Sequence, residues 1–287
     1  MAASQTSGFV EVAERCFVAR YREWDVSVGA LVGEDGVLVI DTRASIRQGH
    51  ELLDDVRRIA PHVPIRWVVN THQHFDHVLG NGAMPEAVIH AHAHASTGMA
   101  ASVDRIQRLI EHSPQADADF PEITAEVLAD VLATEVRQPD ITFESVATVD
   151  VGDRYVELVH LGRGHTDGDV VVRVPDADLV FCGDLVEQSG PPGFGEDSWP
   201  LEWAGTLDLV VGLLTDRSTV IPGHGAAVDR QFVQDQRADI STVAELIRSL
   251  HAQAVPVEDA LSSSTDWPFP AEHLRTAVTR GYGHLAG

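Results

Sequence analysis

The chain has 287 residues, with 20 Lys+Arg against 44 Asp+Glu, a formal net charge of −24 and 44% hydrophobic content. That length accommodates one large or two small domains around a sizeable core, and the near-average composition excludes wholesale disorder. Nothing approaches the roughly 20 apolar residues of a membrane helix, and so acidic a surface repels phosphate backbones and anionic lipid.

Phe17-Val18 and Val26 to Val32 read as strands, and the acidic turn Gly33-Glu34-Asp35-Gly36 leads into Val37 to Ile40, which predicts a hairpin. Ile46, Leu53, Val56 and Ala60 recur at helical spacing and predict an amphipathic helix over 44–60. Ile65 to Val69, ending in Asn70-Thr71, suits a buried strand, as does 87–93. Between Ser96 and Pro139, Val103, Ile106 and Ile110 mark one helical face, and Ile123, Val127 and Val131 another. Ser113-Pro114 and Phe120-Pro121 punctuate the stretch between them, so 96–139 is expected to be a helical hairpin inserted into a strand-rich frame. Strands are expected at 154–161, 169–174, 178–183 and Thr219 to Ile221, with a helix over 201–214. From Asp229 onward, Val233, Ile240, Val243, Ile247 and Leu250 share one face of a long helix. A Pro-containing linker and a shorter helix near 271–280 follow it. Without repeats or a low-complexity linker, 1–287 reads as a single domain carrying the 96–139 insertion and a helical tail over 229–287.

Fifteen histidines are more than plain filler requires. The segment Thr71-His72-Gln73-His74-Phe75-Asp76-His77 directly follows a predicted buried strand. In extended backbone His72 and His74 point to the same side and can converge on one cation. Asp76 and His77 lie just beyond, where a turn into a helix would aim them at a neighbouring site. Imidazole and carboxylate suit zinc, and the lack of thiolate pairs argues against a structural finger. Further ligand-type residues sit on Gly-bounded turns after later strands: His165 in Gly164-His165-Thr166, Asp184 after Gly183, and His224 in Pro222-Gly223-His224-Gly225.

In this order the motifs resemble those of the metallo-β-lactamase superfamily, a resemblance that spans roughly 25–230. It implies an α/β (α+β) fold, a four-layer αββα sandwich with its site at the sheet edges. It further implies that His72, His74 and His165 hold a first metal, that Asp76, His77 and His224 hold a second, and that Asp184 bridges them, as in dinuclear hydrolases resembling glyoxalase II. Two zinc ions per chain are expected, although iron or manganese would suit the same ligands. Such a centre brings the pKa of bound water towards about 7. The resulting metal-bound hydroxide would attack a small-molecule ester, thioester, lactone or lactam, with Asp76 steering the hydroxide or shuttling its proton. Consistently, no G-x-S-x-G elbow is present. The alternatives are an iron-dependent sulfur dioxygenase type of oxidoreductase and, disfavoured by the charge, a phosphodiesterase or ribonuclease.

Other residues leave two readings open. Cys182 is read as a small buried hydrophobe rather than a thiolate ligand, and His90, His92 and His94 as local hydrogen-bonding groups rather than a further metal site. Asp41 either supports the metal loop or caps a helix. The 96–139 hairpin either lids the site, the preferred reading, or only extends the core, and the loop Gly190 to Gly195 either borders the cleft, with Phe194 and Trp199 as an apolar wall, or is a plain connection. Residues 1–24 lack the apolar core of a secretory signal, and two cysteines make no disulfide framework. The expectation is therefore a cytoplasmic enzyme acting on a small molecule, with neither nucleic acid nor membrane as a partner.

Overall fold

A computed structural model describes residues 8–112 and 123–286, so the Ser113-Pro114 and Phe120-Pro121 punctuation lies outside the described residues. One sheet contains, in spatial order, β1 (Val10–Ala13), β2 (Cys16–Arg20), β3 (Ser27–Val32), β4 (Val37–Ile40), β5 (Ile65–Val69), β6 (Val88–His92) and β7 (Ile141–Phe143). β1 to β4 pair antiparallel, and β4 to β7 pair parallel. The second sheet comprises β8 (Val146–Asp150), β9 (Tyr155–Val159), β10 (Val171–Val174), β11 (Leu179–Glu187) and β12 (Thr219–His224). Only its β11–β12 pair is parallel.

The sheets meet face to face through Leu31, Leu38, Ile40 and Val69 on one side and Val156, Leu158, Val172 and Phe181 on the other. Helix α1 (Ile46–Ile59) covers the outer face of the first sheet, burying Leu52 and Val56 on Val28, Val39 and Ile89. Its true start is Ser45, whose side chain accepts from the Gln48 backbone N–H. The outer face of the second sheet is covered by α5 (Trp203–Leu213), α6 (Arg230–Ala252) and α8 (Ala271–Ala286), with the short α7 (Val257–Ala260) beside them. This is the αββα sandwich. Strands covered on both faces need no polar alternation, which is why β3, β4 and β11 read as continuous apolar runs. Each fully buried Leu or Val contributes about 1.5–3 kcal/mol relative to exposure.

The remaining helices are α2 (Phe75–Val78), α3 (Ala93–His112) and α4 (Ala125–Ala133). Several elements differ from the sequence reading, β11 among them, which runs on to Glu187 rather than ending at residue 183. β6 ends at His92, so His94 belongs to α3; α8 runs on to Ala286; and β1, β7 and β8 were not foreseen. Those strands are short and half-exposed, with Val10, Ile141 and Val146 open to solvent, so they lack the buried run that marks a central strand. Among the described residues no helix is long and apolar enough to cross a membrane.

The parallel strands β4, β5 and β6 end on the same side, as do β11 and β12. At that edge the loops after β4, β5, β9, β11 and β12 come together, where parallel sheets present functional residues.

Candidate metal centre

All seven residues singled out as ligands meet at this edge. The ligand atoms of His72, His74, His165 and Asp184 lie within 4.8 Å of one another, as do those of Asp76, His77 and His224. His74 Nδ1 and His165 Nε2 stand 2.8 Å apart, and His165 Nε2 lies 3.3 Å from Asp184 Oδ2. In the second group, Asp76 Oδ2 is 3.4 Å from His224 Nε2 and 3.6 Å from His77 Nε2. Asp184 spans both groups: Oδ1 is 3.2 Å from His77 Nε2, and Oδ2 is 3.2 Å from His224 Nε2 and 3.6 Å from His72 Nε2.

Local backbone explains the convergence. His74 is extended and immediately precedes α2, so the chain turns there and carries Asp76 and His77 to the neighbouring position. On β11, Val180 and Cys182 face the outer helices, while Leu179 and Phe181 face the other sheet. Simple alternation would send Asp184 after Cys182. Instead Gly183 adopts φ +52° and the register slips on both sides of it, which turns Asp184 into the site. A side chain at Gly223 would lie 1.8 Å from Asp184 Oδ1, so only glycine lets β12 close over that carboxylate.

The outer nitrogen of every imidazole is held. His77 Nδ1–H donates to Asp41 Oδ2 at 2.8 Å, His165 Nδ1–H to the Gly193 carbonyl at 2.9 Å, and His224 Nδ1–H to the Trp24 carbonyl at 2.6 Å. His74 Nε2 faces the Asp197 carboxylate at 3.1 Å. Thr71 Oγ1 donates to Asp41 Oδ2 and so accepts from His72 Nδ1 at 3.1 Å. In each case a protein group can hold a ring proton on the outside, so the inner nitrogen is the one turned to the centre and open to a metal once it is unprotonated, the arrangement that metal-ligating histidines require.

His72 Nε2 is buried without a hydrogen-bond partner, a condition that costs about 1–3 kcal/mol and that a cation would offset. The donor set of imidazole and carboxylate fits zinc. Burial pushes His72 well down against the pull of Asp184, and pushes His165 down to about 4. Burial acts the same way on His77 and His224, but there the carboxylates win. Asp184, Asp76 and Asp41 lift His77 well above its ordinary value, and Asp184 takes His224 up to about 10. Asp184 itself is held well down despite burial, by His224, His77 and His72. Without metal, protons on the second group of histidines therefore balance the carboxylates.

Asp41 supports the metal loop, accepting from Thr71 N–H, Thr71 Oγ1–H and His77, while Ser45 is the cap. Cys182 packs in the outer core, and burial raises its thiol to about 12. His92 stacks on His160 and donates to the Glu144 carbonyl, His94 contacts the Asp167 carbonyl, and neither belongs to a ligand cluster among the described residues. Phe194 does not wall the cleft; it is buried edge-on against Trp203, while Trp199 stacks on His284. What the Gly190–Gly195 loop does contribute is the Gly193 carbonyl under His165.

Two residues escaped the sequence reading. Asp197 lies in a loop without periodicity, and its carboxyl is held well below the usual range: burial opposes this, and His74 and Arg105 outweigh it. Arg105 comes from α3 and lies 3.3 Å from Asp197, so the inserted hairpin reaches the site through this pair. An Asp ten positions beyond the end of β11 is no signal by itself.

The chain matches the metallo-beta-lactamase superfamily over residues 21–237. It is 24% identical to the type 2 metallo-beta-lactamase of Bacillus cereus over 197 residues, 68% of this chain and 65% of that protein. It is 28% identical to the Bacteroides fragilis protein of the same name over 89 residues, 30% of this chain and 36% of that protein. The match thus spans less than two thirds of each of these relatives. Among solved structures, the sec-alkylsulfatase Pisa1 from Pseudomonas sp. superposes on 98% of this chain with a TM-score of 0.75, at 18% identity and over 50% of its own length. The metallo-beta-lactamase FIM-1 from Pseudomonas aeruginosa, in its mono-zinc form, covers 84% of this chain and 99% of itself with a TM-score of 0.62 and 18% identity. With the sandwich, the edge site and a match over three quarters of its length, this chain belongs to the metallo-beta-lactamase superfamily.

Proposed function

We propose that the protein is a dinuclear zinc-dependent hydrolase acting on a small-molecule ester, thioester, lactone or lactam. The observation that carries this reading is the set of five imidazoles, each with its outer nitrogen held by a protein group and its inner nitrogen turned to a centre shared with Asp76 and Asp184. His72, His74 and His165 would hold one zinc and Asp76, His77 and His224 the other, with Asp184 between them. Two zinc ions held there would supply Lewis acidity and would lower the pKa of bound water.

The chain's own residues supply order. Asp184 keeps the two halves in register, since its oxygens face histidines of both groups. Asp76, beside His224 and His77 at the junction of the halves, is the carboxylate placed to accept a proton at Oδ2 and to orient the attacking group. Asp41 and Asp197 keep ring protons on the outside. Cys182, turned away and with its thiol at about 12, has no part. The −24 charge favours a small substrate over a polyanion. The names of the relatives support hydrolysis without agreeing on the bond, since one set cleaves lactams and another sulfate esters.

The test is plasma emission analysis of protein purified without added metal, followed by a screen of ester, thioester, lactone, lactam, sulfate ester and phosphodiester substrates. Two zinc ions per chain and hydrolysis of one of the first four classes, lost in Asp184→Ala, are expected. One metal per chain, or iron with dioxygen consumption, overturns the reading.

A further inference from the structure

We propose that the C-terminal helix α8 is a strap for the first half of the metal centre alone, acting through the loop 193–199, with Arg280 and His284 as positioning residues. The inference rests on the metal-centre reading above and goes beyond it. α8 (Ala271–Ala286) lies outside the 21–237 stretch that matches the superfamily.

The loop holds the outer partners of two of the three first-half histidines. Gly193 accepts from His165 Nδ1–H, and Asp197 faces His74 Nε2. The Trp199 backbone N–H donates to the Gly164 carbonyl at 2.8 Å, one residue before His165. The loop in turn is held from behind by α8. Arg280 Nε donates to the Ser198 carbonyl at 3.0 Å, next to Asp197. The Trp199 ring stacks on His284, with centroids 4.5 Å apart and planes 17° from parallel. Arg163, two residues before His165, lies 3.7 Å from the same ring and pairs with Glu202 through both ends of its guanidinium. Thus one tryptophan ties the turn before His165, the loop carrying Asp197 and the last turns of α8 into one unit.

The second half has other supports. His77 is held by Asp41 on the loop after β4, and His224 by the Trp24 carbonyl between β2 and β3. Among the described residues, neither support has a hydrogen bond or ring contact to α8. α8 itself is anchored by Leu274, Ala277 and Val278 in the core and by Gly281, whose hydrogen faces Ile247 where a Cβ would lie 2.7 Å away. Arg280 and His284 are half-buried along the flank of this face and are not among the buried residues of the core cluster.

The experiment measures zinc affinity by chelator competition in two backgrounds. His224→Ala reports the first half, and His74→Ala reports the second. Into each go Arg280→Ala with His284→Ala together, and separately His284→Phe, which keeps a stacking ring. The double change is expected to weaken zinc about 10–100-fold in the His224→Ala background, the usual effect of an outer support. It should change affinity less than about two-fold in the His74→Ala background, and His284→Phe should stay near the parent in both. Equal loss in both backgrounds, or loss in neither, overturns the strap. Failure of both parents to bind zinc overturns the metal-centre reading instead. Thermal unfolding of each variant separates a positioning effect from loss of fold.

Discussion

Replacing Asp41 by Asn isolates the charge behind the metal loop. The residue is 1% exposed and sits at φ +63°, a conformation Asn tolerates as well as Asp, so shape and backbone strain are unchanged. The native carboxylate accepts three hydrogen bonds of 2.8 Å each, from Thr71 N–H, Thr71 Oγ1–H and His77 Nδ1–H. An amide has one oxygen and one NH2, so it cannot accept all three. If the NH2 faces His77 and the Thr71 hydroxyl, His77 must carry its proton on Nε2, the atom aimed at the centre. The Thr71 hydroxyl then reverses and pushes the His72 proton inward too. Loss of such an outer partner lowers metal affinity about 10–100-fold, which is about 1.4–2.7 kcal/mol. If the amide instead flips, its NH2 opposes the Thr71 N–H, leaving a buried donor unpaired at about 1–3 kcal/mol of folding stability. Chelator competition for zinc and urea unfolding of the metal-free chain read the two outcomes. Asp41→Asn is expected to fail on at least one, and if on zinc, at both halves of the site. Zinc affinity within two-fold of the parent together with an unchanged unfolding free energy refutes the role given to Asp41.

Asp184→Ala should lower metal content and hydrolysis together, whereas Cys182→Ser should leave metal content unchanged; the reverse ranking by emission analysis would show that β11 presents the other residue. Asp76→Asn, assayed with occupancy confirmed as full, should lose about 10²–10⁴-fold in turnover with little change in substrate binding, and near-normal turnover would remove Asp76 as base or orienter. The metal-free chain should have a stability maximum bounded on both sides. His165, lowered by burial to about 4 from 6.5, withdraws stability as pH falls through that window, because the unfolded chain binds the proton first. His224, raised to about 10 by Asp184 against burial, contributes stability that is complete below 6.5 and is lost as pH rises through about 10. A thermal-shift series from pH 4 to about 11 checks both limbs, and a flat profile on either side contradicts the corresponding assignment. Because His77 and His224 carry protons in the metal-free chain, zinc binding near neutral pH should release them, which calorimetry in buffers of different ionisation enthalpy detects.

What was legible in the sequence is what local chemistry carries. The spacing of His72, His74, Asp76 and His77 after a buried strand survives intact in the structure, because an extended segment followed by a turn into a helix needs only neighbouring residues. The central strands and the long helix α6 were legible for the same reason, since burial writes runs or a 3.6-residue period into the chain. The edge strands β1, β7 and β8 were not, because half-exposed strands of three to five residues bury too little to leave a pattern.

The supports of the centre belong to tertiary structure alone. Asp41 serves His77 from 36 positions away, and Trp24 serves His224 from 200 positions away, through a backbone carbonyl that any residue possesses. Asp197 and Arg105 reach His74 from a loop and from an inserted helix with no shared periodicity. Even the choice of Asp184 over Cys182 was made by one left-handed glycine, which reverses the alternation the strand would otherwise impose. Residue type and spacing determined which atoms could ligate. Which way each ring faced, and where its proton sat, depended on groups brought near only when the two sheets packed together.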